Sequence, residues 1–258
     1  MLFLVEIFLL SLFVLGALAS RVPESDILSF TKRNTPLNEF LSILIANTPA
    51  VNVSLTESTS VITTLDKLLA ISTGAQTIYN ELEGSCQEWT VIFARGTAEP
   101  GNVGVLVGPP LFDALGDQFG SSSIAIQGVN GYSASVEDYL AGGDPAGSAE
   151  MANQIETARS KCPNTKLIVA GYSQGCQIVH NAIAKLAATT TTWISSVLLF
   201  GDPDDGELLP NIPASKTFTA CHDGDDICKN GLFILPAHLT YAENVTEAAQ
   251  FAADVASA

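Results

Sequence analysis

Ser173 is the residue from which chemistry can be argued. It lies in Gly171-Tyr172-Ser173-Gln174-Gly175, a match to G-x-S-x-G. An apolar run over 167–170 precedes it and has the character of a buried strand. Residues 174–186 follow, with Ile178, Ala182, Ile183 and Leu186 at helical spacing. A strand that turns sharply into a helix strains the residue at the turn. Glycines on either side leave space where a Cβ would crowd it. The Ser173 hydroxyl is then lifted above the sheet edge, ready to attack a carbonyl. The Gln174 N–H faces the same side at the helix N-terminus, where partial positive charge favours an oxyanion. An ordinary serine in a tight strand–helix turn is the bland alternative, and the flanking strand and helix weigh against it.

A serine hydroxyl needs a base to take its proton, and the base needs an orienting carboxylate. The chain has three histidines, so the search is short. His180 is on the helix that follows Ser173 and is expected to be structural. His222, beside Cys221, stays open. His238 sits in Leu235-Pro-Ala-His-Leu239. In α/β-hydrolases the order runs serine, acid, histidine, and only His238 leaves ample room for an acid. Two acidic clusters are available. Asp202, Asp204, Asp205 and Glu207 follow a strand, while Asp223, Asp225 and Asp226 lie between Cys221 and Cys228. A loop closed by a disulfide would hold a carboxylate more rigidly than an open turn. The first cluster fails the spacing of a calcium loop and is expected to be a solvated acidic turn. No His/Cys/carboxylate set has zinc spacing, so neither metal nor cofactor is expected.

These groups need a frame. Strands are predicted over 89–94, 124–129, 167–170, 195–201 and 216–220. Helices are predicted over 103–119 (starting late at Gly108-Pro109-Pro110), 149–161, 174–186 and 243–258, with a short turn at 136–140 and a loop at 141–147. The alternation predicts an α/β fold: a three-layer α/β/α sandwich with a mostly parallel five-stranded sheet. Ligands bind such sheets at the carboxyl ends of the strands, where Thr97, Ser173, Asp202 and the Cys221 loop fall. Upstream, Val61, Leu65, Leu68, Leu69, Ala75, Ile78, Tyr79 and Leu82 recur at helical spacing. They predict one or two amphipathic helices, broken at Gly74; a short helix is expected near 37–45. No long apolar insertion suggests a lid, so an open site is expected.

Composition bounds the rest. The chain has 258 residues, 47% hydrophobic, with a formal net charge of −16. Residues 1–19 are almost wholly apolar and end in Ala17-Leu18-Ala19. They are expected to be a secretory signal, although Glu6 interrupts the run and no base precedes it; a signal anchor is the alternative. Residues 20–83 are expected to be a leader or propeptide-like segment and 84–258 the catalytic domain. No other stretch is long and apolar enough to span a bilayer. The acidic balance argues against nucleic acid and anionic lipid as partners, and a monomer is expected. Asn52-Val-Ser54 and Asn244-Val-Thr246 are glycosylation sequons that agree with secretion. Five cysteines in an exported chain suggest two disulfides and one thiol. Cys221 and Cys228 are expected to pair, which leaves Cys86 with Cys162. Cys176 lies among apolar helix residues and is expected to be buried and inert.

Four separated motifs carry a resemblance. They are Phe93-Ala-Arg-Gly-Thr-Ala-Glu-Pro-Gly-Asn-Val-Gly104, Gly171-Tyr-Ser-Gln-Gly175, Cys221-His-Asp-Gly-Asp-Asp-Ile-Cys228 and Phe233-Ile-Leu-Pro-Ala-His-Leu239. In order and spacing, residues 86–241 resemble the fungal cutinases, small secreted serine esterases. The resemblance implies a triad of Ser173, Asp225 and His238, and disulfides Cys86–Cys162 and Cys221–Cys228. It implies an oxyanion hole from the Thr97 and Gln174 N–H groups, helped by the Thr97 hydroxyl. It also places Ile234 and Leu239 on an acyl-binding rim, with core packing as their plainer role. The expected substrates are cutin-type polyesters and other lipid-like esters with short-to-medium acyl chains. An acetylxylan esterase of the same fold is the nearest rival, and an idle secreted surface or effector protein is the alternative of another class. Two departures stand out: Thr97 where many relatives carry serine, and a segment over 20–83 longer than a typical leader.

Overall fold

Parallel strands need helical crossovers, and the alternation along this chain supplies them. The computed structural model describes residues 53–54, 63, 66, 67, 69, 70 and 73–257. The expected signal segment, the expected helix near 37–45 and Asn52 lie outside the described residues. After β1 (Val53–Ser54), five strands form one parallel sheet. They are β2 (Trp89–Ala94), β3 (Ile124–Gly128), β4 (Lys166–Tyr172), β5 (Ser196–Phe200) and β6 (Thr217–Ala220), in the order β3-β2-β4-β5-β6. β2 and β5 are buried along their whole length, which is why they appear in sequence as near-continuous apolar runs.

Side chains alternate across the sheet and feed two cores. Along β2, Val91 and Phe93 join Leu111, Leu115, Phe200, Ala248 and Ala252. That core is covered by α1 (Gly108–Phe119) and by the C-terminal helix Val245–Ser257. Ile92 and Ala94 point the other way, to Met151, Ile155, Val169 and Ile183. Between them in the chain come α2 (Val136–Leu140), α3 (Pro145–Lys161), α4 (Gln174–Lys185) and α5 (Ala188–Thr191), so the last helix is α6. Cys86–Cys162 ties the entry of β2 to the end of α3, and Cys221–Cys228 closes a short loop after β6.

Three expectations are corrected. The helix placed at 149–161 starts at Pro145, because Asp144 caps it through the Ala146 and Gly147 N–H groups and proline suits the first turn. Residues 75–83 are not helical. Helical residues among 63–73 stop at Gly74 (φ +68°), and the chain then runs extended beside β3. The Gly128 N–H donates to Tyr79 O and the Glu81 N–H to Ile126 O, each at 3.0 Å. Asn102 holds both the N–H and the carbonyl of Tyr79 at 2.9 Å. The unpaired edge of β3 thus offers partners that a local helix would forgo. Ile78, which the helical spacing would bury, is 55% exposed. The third correction concerns Asp202. It is 1% exposed rather than solvated, because Oδ2 pairs with His180 Nε2 at 2.9 Å and Oδ1 accepts from Asp204 N–H.

The segment upstream of residue 83 joins the domain where it is described. β1 pairs antiparallel with β7 (Phe233–Ile234), and Asp66 and Leu69 are buried. Among the described residues no helix is long and apolar enough to cross a membrane.

Candidate active site

The strand order reverses direction between β2 and β4, since β3 lies on one side and β5 on the other. A crevice opens at the carboxyl ends there, and both the Thr97 loop and Ser173 emerge into it. Ser173 has φ 56° and ψ −126°, a conformation costly for a residue with a Cβ. Its surroundings impose it. A Cβ on Gly171 would stand 2.5 Å from Gly175 O, and one on Gly175 would stand 2.0 Å from Ala94 O. The Ser173 N–H also donates to Phe200 O at 2.9 Å, which ties the elbow to β5.

Ser173 and His238 line one cavity, together with Thr97, Tyr172, Ile234 and Leu239. The two are only 3% and 1% exposed. His238 Nδ1 lies 2.8 Å from Asp225 Oδ2. An ionised carboxylate only accepts hydrogen bonds, so Nδ1 carries a proton, and in the neutral ring this leaves the lone pair on Nε2. Nε2 is buried and has no hydrogen-bond partner among the described residues. Of the two acidic clusters, the disulfide loop supplies the carboxylate that meets a histidine on the cavity, Asp225 with His238, whereas Asp202 meets His180. Burial pushes the Asp225 carboxyl up. Hydrogen bonds from His238, Tyr241 and the Ile227 N–H outweigh that and hold it below the usual carboxylate value.

The other two histidines are engaged elsewhere. The His222 ring stacks on Tyr241 with centroids 4.2 Å apart, and its Nε2 lies 2.7 Å from Asn244 Oδ1. His180 is pushed down by burial, but the adjoining Asp202 carboxylate raises it above the ordinary imidazole value. His180, Asp202 and Asp204 bring potential ligand atoms within 4.8 Å of one another. Asp202 Oδ2 lies against His180 Nε2 and its Oδ1 accepts from the Asp204 N–H.

Glu99, which also lines the cavity, shapes the loop that carries Thr97. Its Oε2 accepts from the Gly96 N–H at 2.8 Å, and Oε1 accepts from the Val105 and Leu106 N–H groups at 2.9 and 3.0 Å. Burial raises the Glu99 carboxyl in spite of these bonds. Thr97 Oγ1 is buried without a hydrogen-bond partner among the described residues. The Gln174 side chain is turned away, held by the Tyr132 hydroxyl at 2.7 Å and the Ser135 carbonyl at 2.6 Å. Its main-chain N–H is in the first turn of α4, where helix donors have no intrahelical acceptor. Ile234 belongs to β7, which pairs with β1, a feature the sequence did not announce.

Several residues around the site were not singled out from sequence. Glu99 was quoted only as part of a motif. Tyr172 stacks on the His238 ring, and its hydroxyl donates to His238 O at 2.9 Å. Gly201 (φ +58°) lies so close that a Cβ would stand 2.8 Å from His238 Cε1. Tyr241 donates to Asp225 Oδ2 at 2.6 Å. Asp66 is fully buried within electrostatic reach of Glu99, and neither carboxyl oxygen has a hydrogen-bond partner among the described residues.

A strained serine in a strand–helix elbow at the switch point of a parallel sheet, sharing a cavity with a buried imidazole, fits the α/β-hydrolase class. The family model described as Cutinase matches residues 85–255. The cutinase pbc1 of Pyrenopeziza brassicae is 51% identical over 174 residues, covering 67% of this chain and 85% of its own. A solved structure of Trichoderma reesei cutinase in complex with a phosphonate inhibitor superposes with a TM-score of 0.72 at 44% identity, covering 85% of this chain and 97% of its own. An acetyl xylan esterase shares the fold at 21% identity, with a TM-score of 0.54 over 66% of this chain and 99% of its own. The chain belongs to the cutinase family and is a carboxylic ester hydrolase.

Proposed function

We propose that this protein is a secreted esterase acting on cutin-type polyesters and on soluble esters of short-to-medium chain length, with Ser173, His238 and Asp225 as its triad. The observation that carries the reading is the polarised imidazole. His238 Nδ1 is bound to Asp225 at 2.8 Å, while its buried Nε2, without a hydrogen-bond partner among the described residues, shares a cavity with the strained Ser173. His238 takes the Ser173 proton as the hydroxyl oxygen attacks the ester carbonyl carbon. Asp225 holds the imidazole and stabilises its cation. The Thr97 and Gln174 N–H groups and the Thr97 hydroxyl receive the oxyanion. Removing one such donor typically costs ~2.7–4 kcal/mol of transition-state stabilisation. Collapse of the tetrahedral intermediate transfers the proton from His238 to the departing alcohol and leaves Ser173 acylated. Water then repeats the steps through the same base and releases the acid.

Ile234 and Leu239 line the cavity and present an apolar wall suited to an acyl chain. The two disulfides support an extracellular setting, with residues 1–19 as the export signal. Asn52 and Asn244 are the candidate glycosylation positions, residues 84–258 the catalytic domain, and the working form a monomer. The cutinase relatives support cutin as the polymer. The test is Ser173→Ala on p-nitrophenyl butyrate. A loss of several orders of magnitude in kcat is expected, and a rate near that of the parent would end the proposal. Acyl-chain profiling of the parent should favour butyryl over acetyl esters. A steep preference for acetyl would move the chain to the acetylxylan esterases.

A further inference from the structure

Tyr241 makes a contact that the esterase reading does not use. Its hydroxyl lies 2.6 Å from Asp225 Oδ2, the same oxygen that receives His238 Nδ1–H at 2.8 Å. The direction of the bond follows by elimination. The His222 main-chain N–H, 2.9 Å from the Tyr241 hydroxyl oxygen, can only donate. The carboxylate can only accept. The Cys228 disulfide sulfur, 3.4 Å away, is a far weaker acceptor than the carboxylate, so the Tyr241 proton points at Asp225. Burial first, and then the Asp225 carboxylate, raise the Tyr241 hydroxyl far above the ordinary phenol value, so it remains a donor. The tyrosine is wholly buried, its ring is stacked on His222 and meets the His238 ring edge-on at 5.9 Å. The Ile227 N–H holds the other oxygen, Oδ1, at 2.9 Å.

We infer that Tyr241 is a positioning residue that sets the basicity and orientation of Asp225, and through it the protonation range of His238. This rests on the triad proposed above. Two donors share one carboxylate oxygen, so the charge available to the imidazole is less than a lone Asp–His pair would give. Removing the hydroxyl makes Oδ2 more basic, favours the imidazolium, and leaves the His222 N–H without its acceptor. The predicted signature is electronic as well as structural. In Tyr241→Phe, the acid limb of kcat/KM should move up by about one pH unit. The plateau kcat should fall about tenfold as Asp225 loses an anchor, with KM nearly unchanged.

The experiment measures pH profiles of the parent, Tyr241→Phe, and a variant carrying 3-fluorotyrosine at position 241, each normalised to the fraction of Ser173 labelled by an organophosphate. Fluorotyrosine is a stronger donor and should shift the acid limb down, opposite to phenylalanine. If Tyr241→Phe does not fold, the fluorinated variant alone decides by that downward shift. A limb that moves in neither variant overturns the inference, whatever happens to thermal stability. An active parent with an unmoved limb refutes only the role of Tyr241. A parent that neither hydrolyses esters nor takes the label refutes the triad, and this inference with it.

Discussion

Replacing Asp225 with asparagine separates a polarised imidazole from one that merely sits nearby. The structure gives the consequence atom by atom. Asp225 accepts three hydrogen bonds, from His238 Nδ1–H and Tyr241 O–H at Oδ2 and from the Ile227 N–H at Oδ1. An asparagine of the same shape has one acceptor oxygen and one donor nitrogen. If its oxygen stays with Ile227, the amide nitrogen points at His238 and Tyr241. The imidazole must then accept at Nδ1 and carry its proton on Nε2, toward the Ser173 cavity. A protonated Nε2 cannot take the serine proton. The base is lost although the ring has not moved, and kcat should fall by about 10⁴, as expected for a wrong tautomer. That corresponds to about 5.5 kcal/mol at 1.36 kcal/mol per tenfold change. The assay is kcat on p-nitrophenyl butyrate, with thermal melting as a control for folding. A folded Asp225→Asn protein retaining activity within tenfold of the parent would refute the reasoning.

Two further predictions concern stability and pH. Asp66 is fully buried, and burial first and then Glu99 raise its carboxyl well above the ordinary value of 3.8. A group raised in the folded state supports folding below its ordinary value and ceases to as pH rises through the folded one. Asp66→Asn should therefore raise the melting temperature at pH 8 and change it little at pH 4; an equal loss at both would contradict this. His180 is likewise raised in the fold, so its pair with Asp202 stabilises below the ordinary value of 6.5 and loses that benefit as pH rises through the folded value. His180→Asn should lower the melting temperature more at pH 5.5 than at pH 8.5 and leave kcat within about twofold of the parent, a distinction that melting curves and steady-state kinetics resolve.

What was legible in the sequence follows the range of the interactions involved. The strands at 89–94 and 196–200 are buried on both faces, so their apolar runs stand out without knowledge of the rest of the chain. The strand–glycine–serine–glycine–helix run is equally local, because the steric limits at Gly171 and Gly175 act within the turn and on the adjoining strand. Residues 75–83 misled, since Ala75, Ile78, Tyr79 and Leu82 keep a helical spacing while their backbone pairs with an edge strand some 45 residues away. Asp202 misled for the same reason. A run of acids suggests solvent, and nothing local shows that His180 comes from another element to neutralise one of them. Asp225 could not be separated from its neighbours by residue type, and resemblance alone selected it. The bonds of Tyr241 to Asp225 and of Glu99 to the Thr97 loop left no spacing to find, because each depends on how loops meet at the sheet edge.

The most direct measurement is covalent labelling of the purified protein with an organophosphate ester, followed by peptide mass spectrometry and residual esterase activity. One phosphoryl adduct per chain on the peptide containing Ser173, with activity lost in proportion to labelling, is the expected result. Full activity with no adduct, or inactivation through an adduct at another residue, would contradict the assignment of Ser173 as the nucleophile.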